Sequence, residues 1–476
     1  MASVLNPDFC VIGAGASGIA TAEAAARLGA SVVMVERGTT GGQSLRSGAL
    51  AMGALAAAAR TAAGFRSGAA FGIVPEEPKV NFRRLREHIA EVLTQAAPDS
   101  GPAKLGAVGI ELIKANAVFA DPRTLAAGET LIKAHRFVIA TGARPQLPDL
   151  PGLFSVPYFT TETIFDNTRK LTHLVVIGAG PMGLELALSY RRLGCEVTLV
   201  EPGRLLPDAD PELAEIALRT LREEGINLLG QSSVLTVHAR SQGIGVVVRT
   251  GEGNINLDVS HILVAPQRVA NLNELQLDGA RIKRSQPGGL LQVNGSLRTS
   301  NPRVFAVGEA VSPGVAHDVM VEGTIVARAA LLSLPGRYDP ATPARLTLTD
   351  PPIAEIGLTE PMARERFKTA FEIVRASYGA NEQSRAARMG AGVVKVIVAP
   401  SGQILGAGIV GPCAGELMAP FALALTKKLT LAGLAGLAVP FPSHGELLRN
   451  LGDLAARSAG PTPLETRLLA LNRLLP

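Results

Sequence analysis

Two glycine triplets, and the acids that follow them, are the residues of this chain best suited to chemistry. Gly13, Gly15 and Gly18 form a Gly-x-Gly-x-x-Gly turn, and Glu36 closes the apolar run after it. Gly178, Gly180 and Gly183 repeat the turn, and Glu201 repeats the acid; each acid lies 23 positions beyond its first glycine. Such glycines let backbone approach a pyrophosphate at a helix N-terminus, and the acid accepts hydrogen bonds from ribose hydroxyls. A lone triplet is weak evidence. Strand, turn, helix, strand and terminal acid in sequence make it strong. Two such units predict one dinucleotide held permanently and one that exchanges. The competing reading, a relic site, is weakened by the intact Glu201. A carboxylate there favours a free 2′-hydroxyl over a 2′-phosphate, so NAD is expected over NADP, although Arg204 opposes this charge.

Sulfur and metal chemistry find little support. The three cysteines, Cys10, Cys195 and Cys413, are far apart, with no metal-ligand or redox spacing. Cys10 and Cys195 fall in or beside apolar strand patterns, as small core residues do; Cys413 lies in a Gly-Pro-Cys-Ala turn. No metal site is expected. Lys and Arg are scattered and the net charge is only +5, which argues against nucleic-acid binding. The N-terminus lacks a signal pattern and no apolar run reaches membrane-spanning length, so a cytoplasmic protein is expected.

The elements that must position these residues can be read in order. With 476 residues, 47% of them hydrophobic, the chain is long enough for about three domains. Residues 9–12 and 31–35 read as buried strands around an Ala-rich helix, and residues 171–202 repeat this unit. Helices are expected over 50–66 and 79–97. FVIATGARP, residues 137–145, is a strand running into a Gly turn, and RVFAVGEAVSP, residues 303–313, is a strand ending in Gly and an acid. A helix follows from His317, with Asp318 near its start. The last third alternates strand and helix.

In this order the landmarks resemble the pyridine nucleotide-disulfide oxidoreductases, which include dihydrolipoamide dehydrogenase, glutathione reductase and mercuric reductase. The resemblance covers roughly residues 8–455. It implies an α/β fold with two Rossmann-like dinucleotide-binding domains, for FAD and NAD, and a C-terminal α+β dimerisation domain. The implied boundaries are 1–150 with 272–337 for FAD, 151–271 for NAD, and 341–455 for dimerisation, with 456–476 as linker and tail. It assigns Gly13, Gly15, Gly18, Glu36, Gly41, Gly42, Thr141 and Gly142 to FAD, and Gly178, Gly180, Gly183 and Glu201 to NAD. Glu309 takes the place of an Asp that contacts the ribityl chain. The segment Ala316, His317, Glu322 and Gly323 opens a helix whose N-terminus faces the flavin pyrimidine edge, where its dipole favours the anionic reduced flavin. His317 itself reads as a packing or capping residue.

The departures fall on the family's chemistry. The usual GGTCLNVGCIPSK aligns with GGQSLRSGALAMG, residues 41–53. The two cysteines become Ser44 and Ala49, and a lysine beside the flavin becomes Gly53, while its glutamate partner is kept as Glu185. The C-terminal His-Pro-Thr-x-Ser-Glu becomes Phe441-Pro442-Ser443-His444-Gly445-Glu446. The general-base histidine is thus Phe441, Glu446 persists, and His444 reads as a surface or packing residue rather than a displaced acid/base. A thiolate nucleophile needs both sulfur and a base, so family-type disulfide or mercuric reduction is not expected.

Hydride chemistry survives, because NADH needs only one flavin face. The opposite face, lined by Ser44, Arg46, Ser47 and Ala49, is then free. Phe441 and His444 of the partner subunit would close it in a family-type homodimer. Arg46 reads equally as an anchor for an anionic acceptor or as a solvated surface residue. The expected function is FAD-dependent NADH oxidation with direct transfer to a small-molecule or protein acceptor. The alternatives are a non-catalytic FAD/NAD-binding subunit or redox sensor, and a thiol reductase using other cysteines. The tail, LETRLLALNRLLP, reads as an amphipathic helix capped by Thr462, Pro463 and Glu465, with Leu464, Leu468, Leu471 and Leu475 on one stripe. Docking on the chain's own dimer is the expected role, and contact with a partner protein or a membrane surface the alternative.

Overall fold

The computed structural model describes residues 3–285, 289–315, 317–340, 343–460 and 463–473. The side chain of Ser44, and Ala316, Thr462 and Leu475 altogether, lie outside the described residues. Two compact units result: Met1–Leu205 with Gly225–Pro340, and Leu206–Glu224 with Ala341–Pro476.

The first unit holds both glycine triplets. Its first sheet runs Val304–Ala306, Arg136–Ile139, Phe9–Ile12, Val32–Glu36, Ile110–Lys114, all parallel. The inner strands read as nearly unbroken apolar runs because helices and a further sheet cover both faces, whereas the edge strand Ile110–Lys114 carries exposed Glu111 and Lys114. Cys10, Ile12, Phe137 and Ile139 fill one side; Phe9, Val11 and Val138 fill the other. The helix Ala16–Arg27 lies against Val319–Leu331. Gly323 makes that approach close: a Cβ there would meet Thr21 N at 2.9 Å.

The repeat is structural as well as sequential. The second parallel sheet runs Phe159–Thr160, His261–Val264, His173–Ile177, Glu196–Val200, Asn227–Leu229. Helix Pro181–Arg192 stands to it as Ala16–Arg27 stands to the first. An antiparallel ribbon, Ala143–Pro145 with Arg268–Ala270, joins the segments entering and leaving this second part. Helices Ala49–Arg66 and Phe82–Ala96 form where the Ala-rich and charged stretches predict them; Asn81 caps the latter by accepting from Arg84 N at 3.1 Å.

The second unit is built on an antiparallel sheet, Arg345–Thr347, Ile353–Gly357, Ile404–Val410, Val393–Val398, Glu372–Ser377. Helices Ala414–Thr426 and Glu446–Ala459 cover it, with Phe421, Met418, Leu447, Leu448 and Leu451 in the core. Helix Pro211–Glu223 groups with this unit. The tail forms a helix, Pro463–Asn472, whose Leu464, Leu468, Leu469 and Leu471 are all exposed. Leu469 falls off the expected stripe, so the apolar residues spread around the helix and its amphipathic character is weak. No helix among the described residues is long and apolar enough to cross a membrane.

Candidate functional site

The chemistry-bearing residues of the first unit converge at the carboxyl ends of its parallel strands, where open α/β sheets bind ligands. The three glycines of each triplet divide the work. Gly13 has φ +106° and Gly178 φ +111°, a region closed to most side chains. A Cβ on Gly13 or Gly178 would run into the carbonyl of Ala140 or Ala265, and one on Gly18 or Gly183 into the carbonyl of the first glycine. The middle glycines differ. A Cβ on Gly15 has only Gly42 Cα near it, at 4.0 Å, and one on Gly180 has no atom within 4 Å. That open side lies at a helix N-terminus with no side-chain cap, so backbone N–H groups remain to meet a pyrophosphate.

The two acids are held alike. Glu36 accepts from Ala14 N and Gly38 N, both at 2.7 Å. Glu201 accepts from Ala179 N at 2.8 Å and from Gly203 N at 3.1 Å. Each carboxylate keeps lone pairs for ribose hydroxyls. Gly41 donates to Ala14 O at 2.8 Å, laying residues 41–42 across the first triplet. A Cβ on Gly42 would stand 2.8 Å from Gly15 Cα. This contact explains the Gly-Gly entry.

Beyond it, helix Gly42–Arg46 leads through Ser47, which is buried, into Ala49–Arg66. Arg46 and Ala49 are exposed. Gly53 has no neighbour within 4 Å of a built Cβ, so the space a longer side chain would take is open. Glu185 is buried on helix Pro181–Arg192, which packs along Ala49–Arg66.

Two further groups close the cleft. The hydroxyl of Thr141 is buried without a partner among the described residues, an orphan that a bound polar ligand would satisfy. Glu309 is engaged by a residue that sequence reasoning passed over. Arg268 donates from Nε to Glu309 Oε1 at 2.6 Å and from Nη2 to Glu309 Oε2 at 3.2 Å, and also to Ala143 O and the Gln43 side chain. These features fit FAD in the first half and a pyridine nucleotide in the second.

His317 is engaged at both ring nitrogens. Its Nδ1 faces Glu322 Oε1 at 2.7 Å and its Nε2 faces Ser312 O at 2.9 Å. Both partners are acceptors, so the arrangement favours a ring protonated at both nitrogens. Burial opposes the charge, but the Glu322 carboxylate, the Ser312 carbonyl and Glu309 outweigh it and hold the pKa above the ordinary histidine value. Glu322 also accepts from Gly308 N at 2.7 Å. Asp318 caps the helix that follows, accepting from Val321 N at 3.1 Å.

In the second unit Phe441 is 75% exposed. His444 leans on Tyr378, with ring centroids 5.5 Å apart, and its Nε2 is buried without a partner among the described residues. Burial lowers its pKa, so it is a neutral packing residue. Glu446 is buried and pairs with Arg449 at 3.2 Å.

No described group of His, Cys, Asp and Glu could hold a metal ion. All three cysteines are free. Burial pushes the Cys195 thiol up to about 12 and the Cys10 thiol higher still, so neither is a thiolate at neutral pH.

The comparisons with known proteins agree with this geometry. The Pyridine nucleotide-disulphide oxidoreductase family model matches residues 7–328, and its dimerisation-domain model matches residues 343–451. A mercuric reductase of Streptomyces lividans is 32% identical over 450 residues, 93% of this chain and 94% of that protein. A dihydrolipoyl dehydrogenase of Thermus scotoductus is 31% identical over 469 residues, 95% of this chain and 98% of that protein. Among solved structures, LpdA of Mycobacterium tuberculosis superposes with a TM-score of 0.85 at 21% identity, covering 95% of this chain and 100% of that one. RclA of Escherichia coli, an HOCl-induced flavoprotein disulfide reductase, gives 0.81 at 22%, covering 94% and 100%. At those identities the last two show the fold. With fold, nucleotide turns and dimerisation segment in agreement, the chain belongs to the pyridine nucleotide-disulphide oxidoreductase family.

Proposed function

We propose that this protein is an FAD-dependent NADH oxidoreductase that passes electrons from the flavin directly to an acceptor other than a disulfide. The observation that carries this reading is the coordinated change at residues 41–53. Ser44 and Ala49 stand where the family's cysteines stand, and Gly53 leaves open space where its lysine stands. Cys10 and Cys195 do not replace them, since both are buried and far from thiolate, and the exposed Cys413 thiol is also pushed up from its ordinary value. An alcohol cannot cycle through a disulfide, and Phe441 cannot take a proton. FAD, when bound, accepts two electrons from NADH and delivers them singly or in pairs.

The chain's own residues then have simple duties. Gly15 and the uncapped N-terminus of Ala16–Arg27 hold the FAD pyrophosphate; Glu36 holds its ribose. Gly180 and Glu201 do the same for NADH. Ala49, Gly53 and Arg46 leave a small-sided, singly charged space for the acceptor. In a homodimer, Phe441 and His444 of the partner subunit cover it, excluding water.

The test is an anaerobic NADH titration followed at the flavin absorbance. Bleaching by one equivalent per flavin is expected. A flavin that stays oxidised overturns the proposal and favours a non-catalytic nucleotide-binding subunit. Turnover with a small oxidant should survive replacement of all three cysteines by serine.

The preference for NADH rests on Glu201. Glu201→Ala removes one charged hydrogen bond to the ribose, about 1.5–3 kcal/mol. The kcat/KM ratio of NADH to NADPH should therefore fall at least about tenfold. An unchanged ratio would count against Glu201 as the selector.

A further inference from the structure

We propose that Arg268 is a positioning residue for the flavin cofactor: it fixes the Glu309 carboxylate at the cleft and ties it to the helix Gly42–Arg46 through Gln43. The inference rests on FAD occupying the first nucleotide unit, not on the identity of any acceptor.

The guanidinium is a junction of three segments. Nε and Nη2 grip both oxygens of Glu309, at 2.6 and 3.2 Å. Nη2 also donates to Ala143 O at 2.7 Å, on the ribbon that follows Thr141 and Gly142, and to the side-chain oxygen of Gln43. The pair is largely shielded, with Arg268 17% and Glu309 28% exposed. All the anchoring points lie at the carboxyl ends of the strands or beside them. Gln43 follows directly on Gly42, which rests on Gly15.

A reason for the latch follows from side-chain length. A glutamate has one more rotatable bond than an aspartate, so a free Glu309 would meet a cofactor hydroxyl from a broad set of positions. A two-point grip by a planar guanidinium removes that freedom before the ligand arrives. Lysine cannot reproduce it, because its single ammonium offers no fork. Gly314 N, 3.3 Å from Glu309 Oε1, adds a weaker restraint on the same oxygen. The pre-set carboxylate lowers the ordering cost of binding.

The experiment measures FAD affinity, which is independent of NADH and of any acceptor. Deflavinated protein is titrated with FAD, following quenching of flavin fluorescence. Arg268→Met should raise the dissociation constant at least about tenfold, with Arg268→Lys intermediate. The bound flavin's visible spectrum should shift in the Met variant, and the unfolding midpoint of the apoprotein should change little. In a Glu309→Ala background, Arg268→Met should add less than about twofold, because the group it positions is gone. FAD binding by Arg268→Met within about threefold of the parent overturns the proposal. So does an equal penalty in the Glu309→Ala background. If the Met variant does not fold, Arg268→Lys is read in both backgrounds by the same criteria. A flavin that binds normally yet resists NADH would sink the proposed function and leave this inference standing.

Discussion

Lys395→Met should cost the C-terminal unit about 3–5 kcal/mol, since it removes one partner from a buried ionic cluster. The ammonium is 3% exposed and touches three carboxylates: Asp210 at 2.8 Å, Glu212 at 3.0 Å and Glu360 at 2.6 Å. Methionine matches its length but supplies no charge, and Asp210, itself 4% exposed, would be left without its cation and poorly solvated. Asp210 also caps helix Pro211–Glu223, accepting from Glu212 N at 3.0 Å, and it accepts from Glu360 N at 3.2 Å. Its backbone N–H donates to Glu355 at 2.8 Å. One lysine therefore holds a helix cap, a helix start and a sheet strand together. A lower unfolding midpoint in Lys395→Met would be measured by calorimetry. Adding Asp210→Asn, which keeps the capping oxygen, should recover part of the loss. A single-variant loss below about 1 kcal/mol would mean the cluster is solvated rather than buried.

The same cluster sets an acid limit. Arg375 and Lys395 hold the Glu212 carboxyl below its ordinary value, and Lys395 and Arg364 do so for Glu360. Their folded pKa values are depressed, so their contribution is full above the ordinary 4.5 and is lost as pH falls through the folded values. Burial raises Glu355 instead. Its slope therefore runs the other way: stability is lost as pH rises from the ordinary 4.5 through its folded pKa.

These contacts also mark where sequence reading stops. The glycine triplets were legible because each glycine has a local reason, either a turn or a near carbonyl, and because the pattern occurs twice. The sulfur-free stretch was legible by the same means, as a gap in a pattern. Lys395 was visible only as a lysine inside the apolar run Val393–Val398, every residue of which is buried. A charge in such a strand demands partners, and that demand was the available signal. What sequence does not carry is their identity, since Asp210 lies 185 positions away. Arg268 was hidden for the same reason: Glu309 is 41 positions on and Gln43 is 225 back. His317 and Glu322 are five apart, a spacing that does not align on a helix face. Their pairing depends on the turn before Val319, which no periodicity encodes.

That pairing supports the second large effect. His317→Leu should destabilise the first unit by about 3–5 kcal/mol, because Glu322 would stay buried without its cation. Glu322 is 1% exposed and the imidazole 10%. After the substitution the carboxylate would keep the Gly308 N–H at 2.7 Å and the Tyr338 hydroxyl nearby. These are neutral donors and do not replace a charge. The penalty should depend on pH in a definite direction. The folded pKa of His317 is raised above the ordinary 6.5, so its stabilisation is complete below about 6.5 and is lost as pH rises through the folded value. Parent and variant should thus differ most in mild acid and converge at alkaline pH. Glu309 also adds negative potential that favours the imidazolium, while Asp318 and Asp339 act on the neighbouring Tyr338 hydroxyl. Imidazole resonances of the apoprotein give a direct reading: the resonance absent from His317→Leu should titrate above 6.5, and should move down in Glu322→Gln. If it titrates below 6.5 in the parent, the ring is neutral and the pair is an ordinary hydrogen bond. An imidazolium there would add its charge to the start of helix Val319–Leu331, beside Gly308 and Glu309, so the side chain and the helix N-terminus would present the same sign to the cleft.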